Sequence, residues 1–358
     1  MKLVIDARLI NASGVGTYLK NIIPGIIHAF DEVLLLGNNK ELKLFDWAEN
    51  IKIIEFNAKI YSLEEQIKYP FIIPSCDVLW CPFFNTPIFP VKAEKIITTI
   101  HDVYHLTEIA SLSFAKKKAA KLLFRNAVRK SNLVLTVSEF SKSEILKYLK
   151  TDSQKIEVVY CGVDRMLFLS PKKGNIELPE NYILYVGNIK PHKNLITLLK
   201  AFNTFSNEFK SKYPLVLTGK KEGFITKDNE IDIFIKSNDL EKYITFTGYV
   251  SDSEIPNIYL GANLFVFPSL YEGFGLPVLE ALAASTKVIS SNVASLCEVG
   301  GNAVIYFDPK KYEELAELIK KYIDKNQDYN HLIIEREKQL EKFTWQKVIE
   351  KHLEAFKK

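Results

Sequence analysis

The sequence predicts an α/β chain folded as two doubly wound domains in tandem, with their sheets facing a central cleft. Three observations predict it. Short apolar, β-branched runs alternate with helix-like stretches along most of the chain, a pattern that calls for a parallel sheet covered on both faces. The alternation pauses at one polar stretch bearing Pro and Gly, "SPKKGNIELPEN" (170–181), and then restarts. The 358 residues also exceed one ordinary core, since domains usually run to about 100–200 residues.

In the first half, "KLVIDA" (2–7), "EVLLLG" (32–37), "IKIIEF" (51–56), "DVLWCP" (77–82), "KIITTIHD" (95–102) and "NLVLTVS" (132–138) read as buried strands, each short and closed by turn residues. Helix-like stretches lie between them, among them "VGTYLKNIIPGIIHAF" (15–30) and "SFAKKKAAKLLFRNAVRKS" (113–131). "KIEVVYCGVD" (155–164) leads to the linker candidate. Beyond it come "YILYVG" (182–187), "PLVLTG" (214–219), "YITFTG" (243–248), "NLFVFPS" (263–269), "KVISS" (287–291) and "AVIYFD" (303–308), with helices such as "NLITLLKAFNTF" (194–205) between them. The expected division is 1–168 together with a closing helix at 343–358, and 169–342. Phe343 and Trp345 of the closing segment are expected to pack on the first domain and to couple the two domains during closure.

Composition narrows the function classes. Hydrophobic residues make up 47% and charged residues 25%, an ordinary globular balance. A formal net charge of +4 is too mild to argue for nucleic acid as a partner. Cys76, Cys81, Cys161 and Cys297 form no Cys-x-x-Cys pair and no zinc spacing, so they read as reduced thiols of a cytoplasmic protein. "MKLVIDARLI" turns charged at Asp6 and Arg8, which makes it a strand and not a signal peptide. No apolar run approaches the roughly 20 residues that span a bilayer.

Doubly wound sheets bind ligands beyond the carboxyl ends of their strands, so the informative residues should follow strand ends. The clearest stretch is "FVFPSLYEGFGLPVLEALAAS" (265–285). After the strand comes a loop in which Gly273 and Gly275 can take positive φ. Pro277 suits the first position of the helix that follows. The N–H groups near Gly275 and Leu276 would face the cleft, where free donors and the helix dipole favour a phosphate. Glu280, in the first turns of that helix, can accept two hydrogen bonds from a vicinal diol such as a ribose. Glu272, at the strand end, can hold hydroxyls or stabilise developing positive charge.

"PSLYEGFGLPVLEALA" resembles the Glu-x7-Glu motif of retaining glycosyltransferases with two Rossmann-like domains, the GT-B fold. More narrowly it is similar to their family 4, which includes many bacterial mannosyl- and other hexosyltransferases. The likeness covers nearly the whole chain, through "SGVGTYLKNI", "IHDVYHL", "VSEFSKSEI", "VVYCGVD", "YVGNIKPHKN", "FTGYVSDSEIPNIY" and "FTWQKVIEKHLEAF". It implies a nucleoside diphosphate sugar as co-substrate, no further cofactor, and donor contacts from Gly273, Phe274, Gly275, Leu276 and Glu280.

The remaining motifs follow. "SGVG" (13–16) is an incomplete dinucleotide fingerprint: Leu19 stands where the third glycine belongs, and "EVLLLGNN" lacks the acidic ribose ligand. The resemblance implies instead that this loop closes on the diphosphate, with the N–H groups of Gly14 and Gly16 as donors. His101 and His105 have the spacing of a metal pair, but Asp102 follows His101 at a strand end, so a zinc site is not expected. The resemblance assigns His101 to the transferred sugar and Asp102 to orienting it. In "GNIKPHKN" (187–194), Lys193 should reach the diphosphate as a point charge. Many relatives carry arginine where Asn188 stands, which leaves Lys190 or His192 to supply the second cation. Gly219 and the backbone around Tyr249 and Val250 are assigned to the donor, with the base left unread.

The implied reaction is hexose transfer with retention, by front-face attack through an oxocarbenium-like state, with the leaving phosphate taking the acceptor proton. Glu272, His101 and Lys193 are the catalytic candidates. No two aspartates have Asp-x-Asp spacing, so metal independence is expected. GDP-mannose is the favoured donor, with a UDP- or dTDP-sugar as the alternative. The expected acceptor is a glycan or lipid-linked glycan of surface polysaccharide synthesis. A nucleotide-dependent oxidoreductase is the rival of another class, and the missing third glycine weighs against it. The basic residues of 113–131, including Lys116, Lys117, Lys118, Lys121, Arg125, Arg129 and Lys130, suit peripheral contact with anionic lipid at the inner face of the cytoplasmic membrane. Leu122, Leu123, Phe124 and Val128 are expected to face the core.

Overall fold

The computed structural model describes residues 1–169, 176–219, 229–324 and 330–358; part of the linker candidate, 170–175, lies outside the described residues. The chain forms two compact units, Met1–Gly162 with Trp345–Lys358, and Val163–Thr344.

The first unit is built on seven strands: β1 (Lys2–Asp6), β2 (Glu32–Gly37), β3 (Lys52–Glu55), β4 (Cys76–Cys81), β5 (Ala93–Ile100), β6 (Leu133–Thr136) and β7 (Ile156–Val158). They pair in the order β3-β2-β1-β4-β5-β6-β7, every pairing parallel. On β1, Val4 lies opposite Leu34 and Leu79 and joins them in a core that contains Tyr69. The alternate residues Leu3, Ile5, Leu35 and Trp80 are fully buried too. Burial of both faces is why the strands read as unbroken apolar runs.

The second unit has six strands: β8 (Ile183–Val186), β9 (Leu215–Thr218), β10 (Ile244–Gly248), β11 (Leu264–Phe267), β12 (Val288–Ser291) and β13 (Ile305–Phe307). Their order is β10-β9-β8-β11-β12-β13, again all parallel. In each unit the strand order reverses beside the first strand, at β1/β4 and at β8/β11. Connections leave those two neighbours to opposite sides, and a crevice opens at their carboxyl ends.

Several segments sit differently from the sequence reading. The Arg165–Leu169 helix belongs to the second unit, where Phe168 lies 6.0 Å from the Tyr259 ring. Phe343 also stays in the second unit, its ring 5.5 Å from that of Phe274, and its carbonyl accepts the Val163 N–H at 3.0 Å. On the Phe114–Lys130 helix, Phe124, Ala127 and Val128 are buried, but Leu122 is 59% exposed and points away from the core.

The Trp345–Lys357 helix packs on the Ser13–Ile26 helix of the first unit. The two approach closely at Gly25, where a Cβ would lie 2.3 Å from the Ile349 side chain. A buried polar pair fixes their register. His352 donates from Nδ1 to the Val348 carbonyl (2.7 Å), so its Nε2 is free to accept the Tyr18 hydroxyl (2.6 Å). Burial pushes the His352 pKa down to about 4, below the ordinary 6.5. The neutral ring is therefore the folded form, and its contribution is present above pH 6.5 and lost as pH falls toward 4. Urea titrations should show wild type losing up to roughly 3 kcal/mol more than His352→Gln across that window; parallel profiles for the two proteins would contradict this.

Candidate active site

The crevice of the second unit is formed by the loops that leave β8 and β11. Asn194 locks them together. It takes a left-handed backbone, φ +55, uncommon outside glycine, though asparagine tolerates it better than most. Its Nδ2 donates to the carbonyls of Pro268 and Pro309, each at 3.0 Å, and its Oδ1 accepts from Thr197. The Leu270 N–H adds a bond to the His192 carbonyl at 2.7 Å. This framework brings Lys193, after β8, to Glu272, after β11: Nζ and Oε1 are 2.6 Å apart, and both side chains are largely buried. Lys193 Nζ also lies 5.4 Å from the Phe267 ring centroid. An ammonium carries three donors, so binding Glu272 leaves Lys193 capacity for a further anion.

Glu272 is held in turn through its backbone, whose carbonyl accepts the buried Ser295 hydroxyl at 2.9 Å; the same hydroxyl bonds the Phe274 carbonyl at 2.7 Å. Gly275 takes φ +107 and caps the Leu276–Ala283 helix. A Cβ at Gly275 would come 2.7 Å from Leu296, so both conformation and space require glycine. Gly273 is not among the positive-φ residues, and Pro277 stands second in the helix instead of first. No hydrogen bond among the described residues uses the Gly275 or Leu276 N–H. Two donors at a helix N-terminus are thus left available.

Glu280 lies on that helix, half-buried, and accepts the Tyr259 hydroxyl at 2.9 Å. Burial pushes its carboxyl up to about 7; the Tyr259 hydrogen bond opposes the rise and the Asp252 charge adds to it. Tyr259, wholly buried, escaped the sequence reading because it looks like one apolar residue in an apolar helix. Ser269, at the end of β11, was missed as well: its hydroxyl is buried without a partner. Its strand-end position is the signal that could have found it.

The other expected residues of this unit have these places. Asn188 is half-buried, its carbonyl accepting the Tyr185 hydroxyl at 3.4 Å. Lys190 is exposed, whereas His192 is half-buried beside Lys193, so His192 is the better placed of the two alternatives. Gly219 donates to the Gly248 carbonyl at 3.1 Å, and a Cβ on it would strike the Gly187 oxygen at 2.4 Å. This glycine lets three strand-end loops approach one another. Tyr249 is 66% exposed and Val250 is buried.

In the first unit, His101 and Asp102 follow β5. His101 donates from Nε2 to the Pro82 carbonyl at 3.0 Å, which leaves Nδ1 as an acceptor. Burial holds its pKa below the ordinary value, and the Pro82 bond and Asp102 oppose that shift. The His101 ring meets Tyr18 edge-on at 4.9 Å, which places it beside the helix that starts at Ser13. Asp102 accepts the Tyr104 N–H at 2.8 Å. His105 packs near Phe84, its ring 6.0 Å away, and the described residues contain no cluster of three or more metal-ligating side chains. Gly14 stands in the first helical turn with open space around it. Gly16 differs from expectation: its N–H donates to the Ala12 carbonyl at 2.7 Å. Glycine is needed there because a Cβ would sit 2.5 Å from the Ile10 oxygen.

The two parallel sheets define two Rossmann-like units, each with a crevice where its strand order reverses. Residues 169–339 match the family model "Glycosyl transferases group 1", and residues 12–166 match "Glycosyltransferase Family 4". The chain belongs to the family 4 glycosyltransferases of GT-B fold. It is 29% identical over 279 residues to O-antigen chain mannosyltransferase B of Escherichia coli, an alignment covering 75% of this chain and 71% of that protein. Among solved structures, sucrose-phosphate synthase from Thermosynechococcus elongatus superimposes with a TM-score of 0.80 at 16% identity, over 100% of this chain and 98% of that one. HepE from Anabaena, in complex with UDP and glucose, gives 0.74 at 16% identity over 100% and 99%.

The raised Glu280 pKa has a sign opposite to that of His352. Its neutral form is favoured by folding, so that contribution is complete below pH 4.5 and lost as pH rises past about 7. Relative to Glu280→Gln, wild-type stability should fall by up to roughly 3 kcal/mol from pH 4.5 to 7.5 in urea titrations. A constant difference between the two proteins would contradict the burial of this carboxyl.

Proposed function

We propose that this glycosyltransferase moves a hexose, with retention, from a nucleoside diphosphate sugar to a glycan or lipid-linked glycan in surface polysaccharide synthesis. The observation that carries the reading is the Lys193–Glu272 contact at 2.6 Å, which puts a cation and a carboxylate together where β8 and β11 end. In this reading the second unit holds the nucleotide. Glu280 accepts both hydroxyls of the ribose. The N–H groups of Gly275 and Leu276 and the Lys193 ammonium receive the diphosphate.

The bond from the anomeric carbon to the phosphate oxygen breaks, and the departing diphosphate gains negative charge. Lys193 and the helix N-terminus meet that charge more strongly in the transition state than in the ground state, which lowers the barrier. The positive charge on the sugar lies beside Glu272, which positions it without forming a covalent bond. The acceptor hydroxyl attacks from the face the diphosphate leaves, and its proton passes to a phosphate oxygen. His101 Nδ1 accepts from a hydroxyl of the transferred sugar.

GDP-mannose is the favoured donor, supported by the mannosyltransferase among the relatives. A UDP-sugar is the second reading, supported by the UDP and glucose bound in HepE. The enzyme needs no metal, since lysine and backbone donors meet the charge. No helix among the described residues is long and apolar enough to cross a membrane. Peripheral contact is proposed through the Phe114–Lys130 helix, whose outer face presents Phe114 (84% exposed) and Leu122 among its cations.

A thermal-shift panel of nucleoside diphosphates fixes the base, and steady-state transfer assays with the matching sugar then test the roles. Lys193→Ala should lower kcat by about 10²–10³-fold with the fold intact. EDTA should leave wild-type activity unchanged. A Lys193→Ala variant of wild-type rate, or activity abolished by EDTA and restored by manganese, would overturn the mechanism.

A further inference from the structure

At the end of the first sheet where β6 and β7 begin, opposite the strand ends that bear His101, the surface holds an open cavity of about 280 Å3. It lies between the last turns of the Phe114–Lys130 and Glu139–Leu149 helices and the residues that lead into β7. Val128 and Leu149 line its apolar part. Around them stand Arg125, Arg129, Lys150 and Lys155, and no acidic residue lines the cavity. None of the four forms an ion pair among the described residues. The one side-chain bond among them runs from Lys155 Nζ to the Arg129 carbonyl, at 3.4 Å. Burial alone holds the Lys155 pKa below the ordinary lysine value, so its charge is partly stripped of water without a carboxylate in compensation.

Cations gather at helix C-termini, and Arg129, in the last turn of its helix, fits that role. The dipole does not account for Arg125 a turn earlier, nor for a concave site with four cations and no counter-charge. We propose that this cavity is a binding site for a phosphate group, with Arg125 and Arg129 as its forked donors, Lys150 and Lys155 as point charges, and Val128 and Leu149 against the ester carbon. Two sources carry that chemistry: the headgroup of an anionic lipid, or a free phosphate compound. The first has support in the helix itself, where Lys118, Leu122, Arg125 and Arg129 share one outward face at helical spacing. That arm rests on the proposed membrane contact, and the other arm does not.

The test is site-specific acetylation of Lys155 in the full chain, followed by mass spectrometry. The conditions are buffer, inorganic phosphate, vesicles of phosphatidylcholine, and vesicles containing phosphatidylglycerol. Phosphate or the anionic vesicles at saturation should slow Lys155 modification about fivefold or more. Protection by phosphate and by anionic vesicles identifies a general phosphate site; protection by the vesicles alone identifies a lipid site. Arg125→Glu/Arg129→Glu should abolish the protection, with an unchanged circular-dichroism melting curve as the control for folding. Lys40→Glu/Lys43→Glu, exposed on the first unit away from this helix and outside the cavity, should keep it. The proposal is overturned by no protection from either ligand, equal protection from uncharged vesicles, persistence in the Arg125/Arg129 variant, or equal loss in both variants. The readout uses no sugar donor, so its failure leaves the transferase reading standing, and the converse.

Discussion

Lys193 and Glu272 meet at the carboxyl ends of β8 and β11, and the local architecture of the second unit serves to keep them there. Asn194 accepts a left-handed backbone to bond both neighbouring loops. Ser295 holds the Glu272 and Phe274 carbonyls, and Phe274 packs on Phe343. A surface ion pair contributes little to stability, about 0–1 kcal/mol. Largely buried, this one limits the freedom of a cation and a carboxylate, which is worth more to a site that must meet charge as it develops.

The buried polar groups elsewhere follow a different rule. Tyr18 with His352, and Tyr259 with Glu280, are hydrogen-bonded pairs withdrawn from water; His352 is neutral near pH 7, and Glu280, its carboxyl raised to about 7, is near its midpoint there. Removing them from water raises the cost of charge, and each pair is joined by a hydrogen bond in return. The first pair joins the closing helix to the first unit. The second fixes the carboxyl proposed for the ribose. The two respond oppositely to pH, because an acid with a raised pKa and a base with a lowered one both prefer the uncharged form.

Much of this was legible in the sequence. Among the described residues, eleven of the thirteen strands lie wholly within the stretches quoted from it, and β4 and β5 begin one and two residues earlier, because sheets buried on both faces leave a continuous hydrophobic trace. The glycine–proline loop before the Leu276–Ala283 helix was legible too, since positive φ and a helix start have few suitable residue types. What failed depends on contacts across the chain. The Gly16 N–H closes on Ala12, Phe343 turns to Phe274, and Leu122 faces outward. Tyr259 carries no local signature, because its role arises from what the fold sets beside it.

A crystal structure of the protein with a bound nucleoside diphosphate tests the central claim most directly. The account predicts the diphosphate at the Gly275 and Leu276 N–H groups, within hydrogen-bond reach of Lys193 Nζ, and the ribose diol on Glu280. A nucleotide bound away from the ends of β8 and β11, with Lys193 and Glu280 contacting no part of it, would contradict the account.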